Sequence, residues 1–194
     1  MRIIRGILIS NVSFPKYLEE EIGAKGGNPE GILPYLLKSV KQLELAGADF
    51  IVLPCNTLHS LLPELRKNSK IKIFDLIEEV SARIKKDYCK IGILSTTKTR
   101  TEGLYDKHLE GGEIVYPNEE EQKEVSEIII RIIRKIASVN DKKYLEKVIE
   151  NMREKGAEKV VLACTDIGNL IGNNLHTLDS TQVLIDSIIA RMLE

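Results

Sequence analysis

Two stretches of this chain repeat one another. Ala46-Gly47-Ala48-Asp49-Phe50-Ile51-Val52-Leu53-Pro54-Cys55-Asn56-Thr57 matches Lys155-Gly156-Ala157-Glu158-Lys159-Val160-Val161-Leu162-Ala163-Cys164-Thr165-Asp166. Each copy runs glycine, alanine, acid, four apolar or near-apolar residues, one small residue and cysteine, and glycine precedes cysteine by eight residues in both. That order is restrictive. A glycine following helical spacing ends a helix through a positive φ that other residues avoid. A β-branched run without alternation is a strand buried on both faces. The cysteine then stands at the carboxyl end of its strand, where ligands of open α/β sheets bind. A chain that does this twice brings two thiols to equivalent places.

The remaining pattern predicts the same fold class. Short apolar runs at Ile3–Ile9, Phe50–Leu53, Ile71–Phe74, Ile91–Leu94, Ile114–Tyr116 and Val160–Leu162 read as strands. Between them, Leu33, Leu36, Leu37, Val40 and Leu43 keep the spacing of one buried helical face. Val125, Ile128, Ile129, Ile132, Ile133 and Ile136 do so on a longer helix after the break at Pro117-Asn118. Alternating strands and helices give βαβ units and parallel sheets, so the expected class is α/β. Gly23–Gly31, with four glycines and Pro29, reads as a loop over a site or as an ordinary surface connection.

Composition removes several function classes. The 28 basic and 29 acidic residues leave a formal charge of -1, which offers no footprint for nucleic acid or an anionic membrane surface. No apolar run is long enough to span a bilayer, and Met1–Gly6 lacks the apolar core of an export signal. Cys55, Cys89 and Cys164 are too far apart in sequence for a secreted disulfide framework, so reduced thiols in a cytoplasmic protein are expected. The cysteines and His59, His108 and His176 show no metal-ligand spacing.

The residues just after each repeated cysteine bear on its chemistry. Asn56-Thr57 and Thr165-Asp166 are good helix N-cap residues. Helix N-termini favour anions, which predicts lowered thiol pKa values at Cys55 and Cys164 and faster alkylation there than at Cys89. Cys89 precedes a strand and reads as structural. His59, four residues beyond Cys55, either orients or deprotonates a thiol or faces an interface between domains.

At these residues the chain resembles the aspartate/glutamate racemase family over nearly its whole length. Pro54-Cys55-Asn56-Thr57-Leu58-His59 is similar to the family's Pro-Cys-Asn-Thr-Ala-His segment, and Ala163-Cys164-Thr165-Asp166 to its Gly-Cys-Thr-Glu segment. Gly92-Ile93-Leu94-Ser95-Thr96, with Thr99, Gly103 and Tyr105, resembles the segment that opens the family's second domain. Asp179-Ser180-Thr181 resembles the one before its last helix. The resemblance implies two pseudosymmetric parallel-sheet domains, 1–88 and 89–181, with the site between them and a last helix, 182–194, packing back on the first. It implies an amino-acid substrate, aspartate or glutamate, and a homodimer, with neither metal nor pyridoxal phosphate. One thiolate removes the α-proton while the opposite thiol delivers a proton to the other face. Such a carbanion needs donors for its carboxylate. Asn56, Thr57 and Thr165 are the candidates, with Thr96 and Thr99 as further donors or plain N-caps. Asp166 stands where the family has Glu and bears on substrate choice.

The opening, Ile7-Leu8-Ile9-Ser10-Asn11, resembles the family's second strand, from which an asparagine (here Asn11) reaches the site. Gly92 lies 72 residues before Cys164, and the same offset before Cys55 falls upstream of Met1. The first domain is therefore expected to lack its N-terminal βα unit. A hydantoin racemase or maleate isomerase type of enzyme, and a non-catalytic small-molecule-binding paralogue, are the alternative readings.

Overall fold

The computed structural model describes residues 6–15, 17–18, 22, 27–109, 111–172 and 174–193. Both copies of the repeat fold alike. Helix α1, Leu33–Leu45, ends at Gly47 with φ 83°, where Gly47 N donates to Glu44 O at 3.0 Å and Ala48 N to Leu43 O at 3.0 Å. Strand β1, Phe50–Val52, follows. In the second copy, the helix Val139–Glu154 ends at Gly156 with φ 95°, Gly156 N donating to Arg153 O at 2.8 Å and Ala157 N to Met152 O at 3.1 Å. The strand Lys159–Ala163 follows. In each case the two crossed bonds satisfy carbonyls that a helix end leaves orphaned, and they need a residue tolerant of positive φ between them.

The strands form two parallel sheets. β1 pairs with β2, Lys72–Phe74. The second sheet runs in the order β4 (Glu113–Val115), β3 (Lys90–Ser95), β5 (Lys159–Ala163), β6 (Thr177–Asp179), every pair parallel. The helices between them are α2 (Leu62–Lys67), α3 (Leu76–Asp87), α4 (Thr97–Thr101), α5 (Glu119–Ile133), α6 (Val139–Glu154), α7 (Thr165–Ile171) and α8 (Ser180–Leu193). The fold class is thus α/β with parallel sheets.

Side chains of β3 and β5 alternate between two cores, because successive strand residues point to opposite faces. Leu94, Val160 and Leu162 pack under α5 and α6 against Val125, Ile128, Leu145, Val148 and Met152. Gly92 allows that approach: a Cβ there would lie 2.9 Å from both Met152 Cε and Val160 Cγ2. Ile91, Ile93, Val161 and Ala163 face the other way, against Leu76, Ile77, Val80 and Ile84 of α3 and Leu184 of α8. Arg191 of α8 donates to Glu79 Oε1 of α3 at 2.6 Å and lies over the Phe74 ring of β2. A third core joins α1, β1, β2 and α2 through Leu36, Val40, Ile51, Leu62, Leu65 and Ile73.

The structure departs from the sequence expectation in three places. The described part of Ile3–Ile9 pairs with no strand; Ile7 is 81% and Ile9 86% exposed. β-branched residues favour extended backbone, but a strand exists only through hydrogen bonds to a neighbour. β6 is an addition to the expected strands, because two of the three residues Thr177-Leu178-Asp179 are polar. It joins an edge, where β5 supplies the pairing. The apolar periodicity carries α5 to Ile136, but the helix stops at Ile133. Lys135 takes φ 59°, Ile136 N bonds Arg131 O at 2.9 Å, and Ile136 turns to solvent.

Gly47 meets no atom within 4 Å at its Cβ position, so its requirement is conformational alone. Gly47→Ala is expected to destabilise the fold by about 1–2 kcal/mol, the cost of holding an L-residue in the left-handed region, and Gly47→Asn by less. Urea unfolding midpoints check it.

Candidate active site

The register of the second sheet pairs Ser95 with Ala163, so Thr96 and Cys164 leave adjacent strands side by side at their carboxyl ends. Cys164 flanks the start of α7, with extended backbone at φ -152° and ψ 126°. Cys55 lies three residues past β1 and shortly before a 3-10 turn, Thr57–Leu61. The two cysteines open on one cavity of about 120 Å³, whose polar lining is completed by Asn56, Thr57, Thr96, Thr165 and Asp166. Its apolar lining comes from both sides. Phe14, Ile22, Ile32 and Leu58 belong to the core that Cys55 packs against, while Ile129 and Ile133 belong with the core that contains Cys164.

Two of the residues singled out from sequence lie off the cavity lining. Thr99 stands one layer behind it, bonded to Thr57 and Thr96. Asn11 is solvent-exposed and does not line the cavity, because the strand expected to carry it inward is not formed.

Two buried polar groups hold the lining in place. Asn56, 2% exposed, accepts from the Tyr105 hydroxyl at 2.7 Å and donates through Nδ2 to Ser180 Oγ at 3.0 Å. Ser180 Oγ in turn donates to Leu162 O on β5 at 2.9 Å. The hydroxyls of Thr57, Thr96 and Thr99 form a triangle with sides of 2.9, 3.0 and 3.3 Å, and Thr99 N donates to Thr96 Oγ1 at 3.2 Å as the N-cap of α4. Asn56 and Thr165 are not side-chain caps. Asn56 holds the cap position of its turn without a side-chain bond, and the cap position of α7 belongs to Cys164 itself. Sequence reasoning gives Tyr105 and Ser180 no site role. Both stand in motifs it singles out, and a buried tyrosine needing a partner for its hydroxyl is the available signal.

The thiols do not have the lowered pKa values expected at helix starts. Burial pushes the Cys55 thiol up, against opposing bonds from the backbone N–H groups of Leu58 and Thr57, and the Asp166 carboxylate adds to the rise. Cys164 is pushed up to about 12 by burial and by Asp166, with the N–H groups of Ile167 and Asp166 opposing. The donors that favour a thiolate are present; loss of hydration outweighs them. Burial raises the Asp166 carboxyl as well.

His59 has both ring nitrogens engaged. Nδ1 lies 2.8 Å from Cys55 O, and Nε2 accepts from Leu76 N, the first residue of α3, at 2.9 Å. That pairing requires the proton on Nδ1, where it is donated to the carbonyl. Burial lowers the ring's pKa. His59 is a neutral bolt from the Cys55 backbone to α3, and neither nitrogen is free to take a thiol proton. A wider cleft of about 300 Å³ beside it, lined by Arg66, Asp75, Glu102 and Lys107, contains neither cysteine. The smaller cavity is where the two thiols converge. Among the described residues no group of three His, Cys, Asp or Glu is placed to hold a metal ion, and no helix is long and apolar enough to cross a membrane.

Comparison with known proteins identifies the family. Residues 4–190 match the profile of the family described as Asp/Glu/Hydantoin racemase. The chain is 26% identical over 162 residues to the broad specificity amino-acid racemase RacX of Bacillus subtilis (strain 168), covering 81% of this chain and 71% of that protein. It is 24% identical to the glutamate racemase of a Picosynechococcus species over 82% of this chain and 57% of that one. Its structure is similar to that of an aspartate racemase homologue from Pyrococcus horikoshii OT3, with a TM-score of 0.70, 27% identity, and 90% and 80% of the two chains covered.

The geometry reverses the expected order of thiol reactivity. Cys89 is exposed, Cys55 half-buried and Cys164 buried. Brief iodoacetamide treatment near neutral pH should label Cys89 first and Cys164 last, as read by mass-spectrometric mapping. The Cys164 thiol, ordinarily near 9, rises to about 12 in the fold. Between those values the unfolded chain binds fewer protons, so this contribution to stability is full below about pH 9 and is lost as pH rises toward 12. Unfolding free energy should therefore fall less steeply over that range in Cys164→Ala than in the unsubstituted protein.

Proposed function

The chain belongs to the Asp/Glu/hydantoin racemase family, and from that premise we propose that it racemises a free α-amino acid, one of Cys55 and Cys164 removing the α-proton while the other delivers its own proton to the opposite face. The observation that carries this reading is the convergence of two repeated strand ends, each bearing a thiol, on one small cavity. With the α-carbon between them, one sulfur as thiolate takes the α-proton, and the C–H electron pair passes into the carboxylate-stabilised carbanion. The opposite S–H delivers its proton to the other face and becomes the thiolate. One thiolate enters and one leaves, so charge balances, and the reverse turnover restores the starting state.

The raised thiol pKa values fit this task. The α-C–H of an amino acid is a weak acid, and a base whose conjugate acid is also weak narrows the gap. The substrate ammonium supplies positive charge near the sulfurs, where low dielectric makes it count. Thr57 and Thr96 line the cavity, and one of their two hydroxyls can turn its proton to the carboxylate while the other keeps the bond between them. Aspartate and glutamate are the substrates the family resemblance implies. The relatives' names span aspartate, glutamate and broad specificity, and these substrates share the amino and carboxylate groups on which this reading rests.

Cys55→Ala and Cys164→Ala should each lower racemisation in both directions by about 10²–10⁴-fold. Each should still exchange the α-proton of one enantiomer with solvent deuterium, and the two variants should prefer opposite enantiomers, followed by NMR. Both variants exchanging the same enantiomer would refute the opposed-face assignment. No exchange of any amino acid by the unsubstituted protein would favour the binding-paralogue reading.

A further inference from the structure

Among the described residues, the part of the cavity not taken up by the two thiols and their polar neighbours is hydrocarbon. Ile32 and Ile129 are almost fully buried, Ile22 and Leu58 are buried, and Phe14 and Ile133 complete the wall at half-buried positions. They come from three segments of chain that sequence separates widely, so the wall is assembled by the fold. On the polar side, the charged lining residue among those described is Asp166, whose carboxylate acts on both sulfurs. A substrate lying with its α-carbon between the sulfurs and its carboxylate toward the Thr57–Thr96 pair must turn its side chain to this wall.

We infer that the substrate is an amino acid with an uncharged, apolar side chain of the leucine or methionine kind, selected by the wall of Phe14, Ile22, Ile32, Leu58, Ile129 and Ile133. This rests on the racemase reading for its chemistry and on the wall for its selectivity. A second carboxylate placed there would lose its hydration against isoleucine side chains and would share the cavity with Asp166. Among the described residues, nothing in that wall returns the lost hydrogen bonds. A branched aliphatic or thioether side chain instead exchanges water for contacts with carbon, which is favourable in proportion to the area covered.

Calorimetric binding and α-deuterium exchange, run in parallel on the whole chain with both enantiomers of leucine, methionine, aspartate and glutamate, separate the two readings. Leucine and methionine should bind at least tenfold more tightly than aspartate and glutamate. Where exchange occurs, their kcat/KM should be higher by about 10²-fold or more. Tighter binding of leucine and methionine without exchange leaves the wall assignment standing and sinks the racemase reading. Aspartate or glutamate binding as tightly as leucine overturns the inference while exchange of any substrate keeps the racemase reading. Failure of all four to bind at 10 mM, about 10-fold above a typical upper KM, also overturns it. Ile133→Lys puts a cation into the wall at a half-buried position. It should weaken leucine and strengthen glutamate by about tenfold each. A variant with unchanged preference places the side chain elsewhere and overturns the assignment.

Discussion

The hydrogen-bond chain from Tyr105 through Asn56 and Ser180 to the Leu162 carbonyl ties the two halves of the cavity together. Asn56 sits next to Cys55 on the loop after β1, and Leu162 lies two residues before Cys164 on β5. The separation of the sulfurs is therefore set through a buried asparagine whose oxygen accepts and whose nitrogen donates, each to one partner. A buried amide is costly when unpaired, of the order of 1–3 kcal/mol for each group left alone. Because both ends are paired, that cost becomes an orienting force on the loop. The Thr57–Thr96–Thr99 triangle repeats the device one step along the chain, joining the same loop to the end of β3. His59 holds the loop's third side by bonding the Cys55 carbonyl and the start of α3.

The thiols show how two rules of thumb compete. Backbone N–H groups at the start of α7 and of the 3-10 turn point at the sulfurs and favour the thiolate. That effect is large at exposed helix ends. Removing a thiolate from water costs more here, because the cavity is small and walled with carbon on one side. The neighbouring Asp166 adds like charge. The outcome is a pair of thiols whose surroundings disfavour the thiolate, so that positive charge arriving with a substrate favours ionisation.

How much of this is legible in the chain depends on which interactions are local. The repeat is legible because its parts are consecutive: a positive-φ glycine, a buried strand and a terminal cysteine are each set by neighbours in sequence. The helical faces of α1 and α5 are legible for the same reason, up to the point where Lys135 turns the chain off before Ile136. Strand existence at Gly6–Ile9 is not, since pairing is decided elsewhere in the fold. Capping by Asn56 and Thr165 is a false signal because capping preference is statistical. For Asn56 the stronger partners, Ser180 and Tyr105, are visible only when distant segments are placed. The cavity wall is hidden for that reason too: Ile129 and Ile133 read as core, and Phe14 and Ile22 come from a stretch whose pattern gives no element.

The two halves of the repeat are alike in backbone and unlike in electrostatics, which has a consequence for the racemisation proposed. Asp166 sits beside Cys164, and the matching position after Cys55 is the uncharged Thr57. The sulfurs therefore differ in how readily each gives up its proton. Racemisation has an equilibrium constant of one, so kcat/KM for the two enantiomers must be equal whatever the difference between the thiols. The asymmetry can appear only in kcat and KM taken separately. The enantiomer whose α-proton faces the more easily formed thiolate meets a site already in its reactive protonation state, and its mirror image meets the other. Unequal populations of the two thiolate forms raise the apparent KM of one enantiomer and its kcat by the same factor. A repeat that has drifted in charge can thus shift which concentration range each enantiomer saturates, while the symmetry of the reaction itself is enforced by thermodynamics.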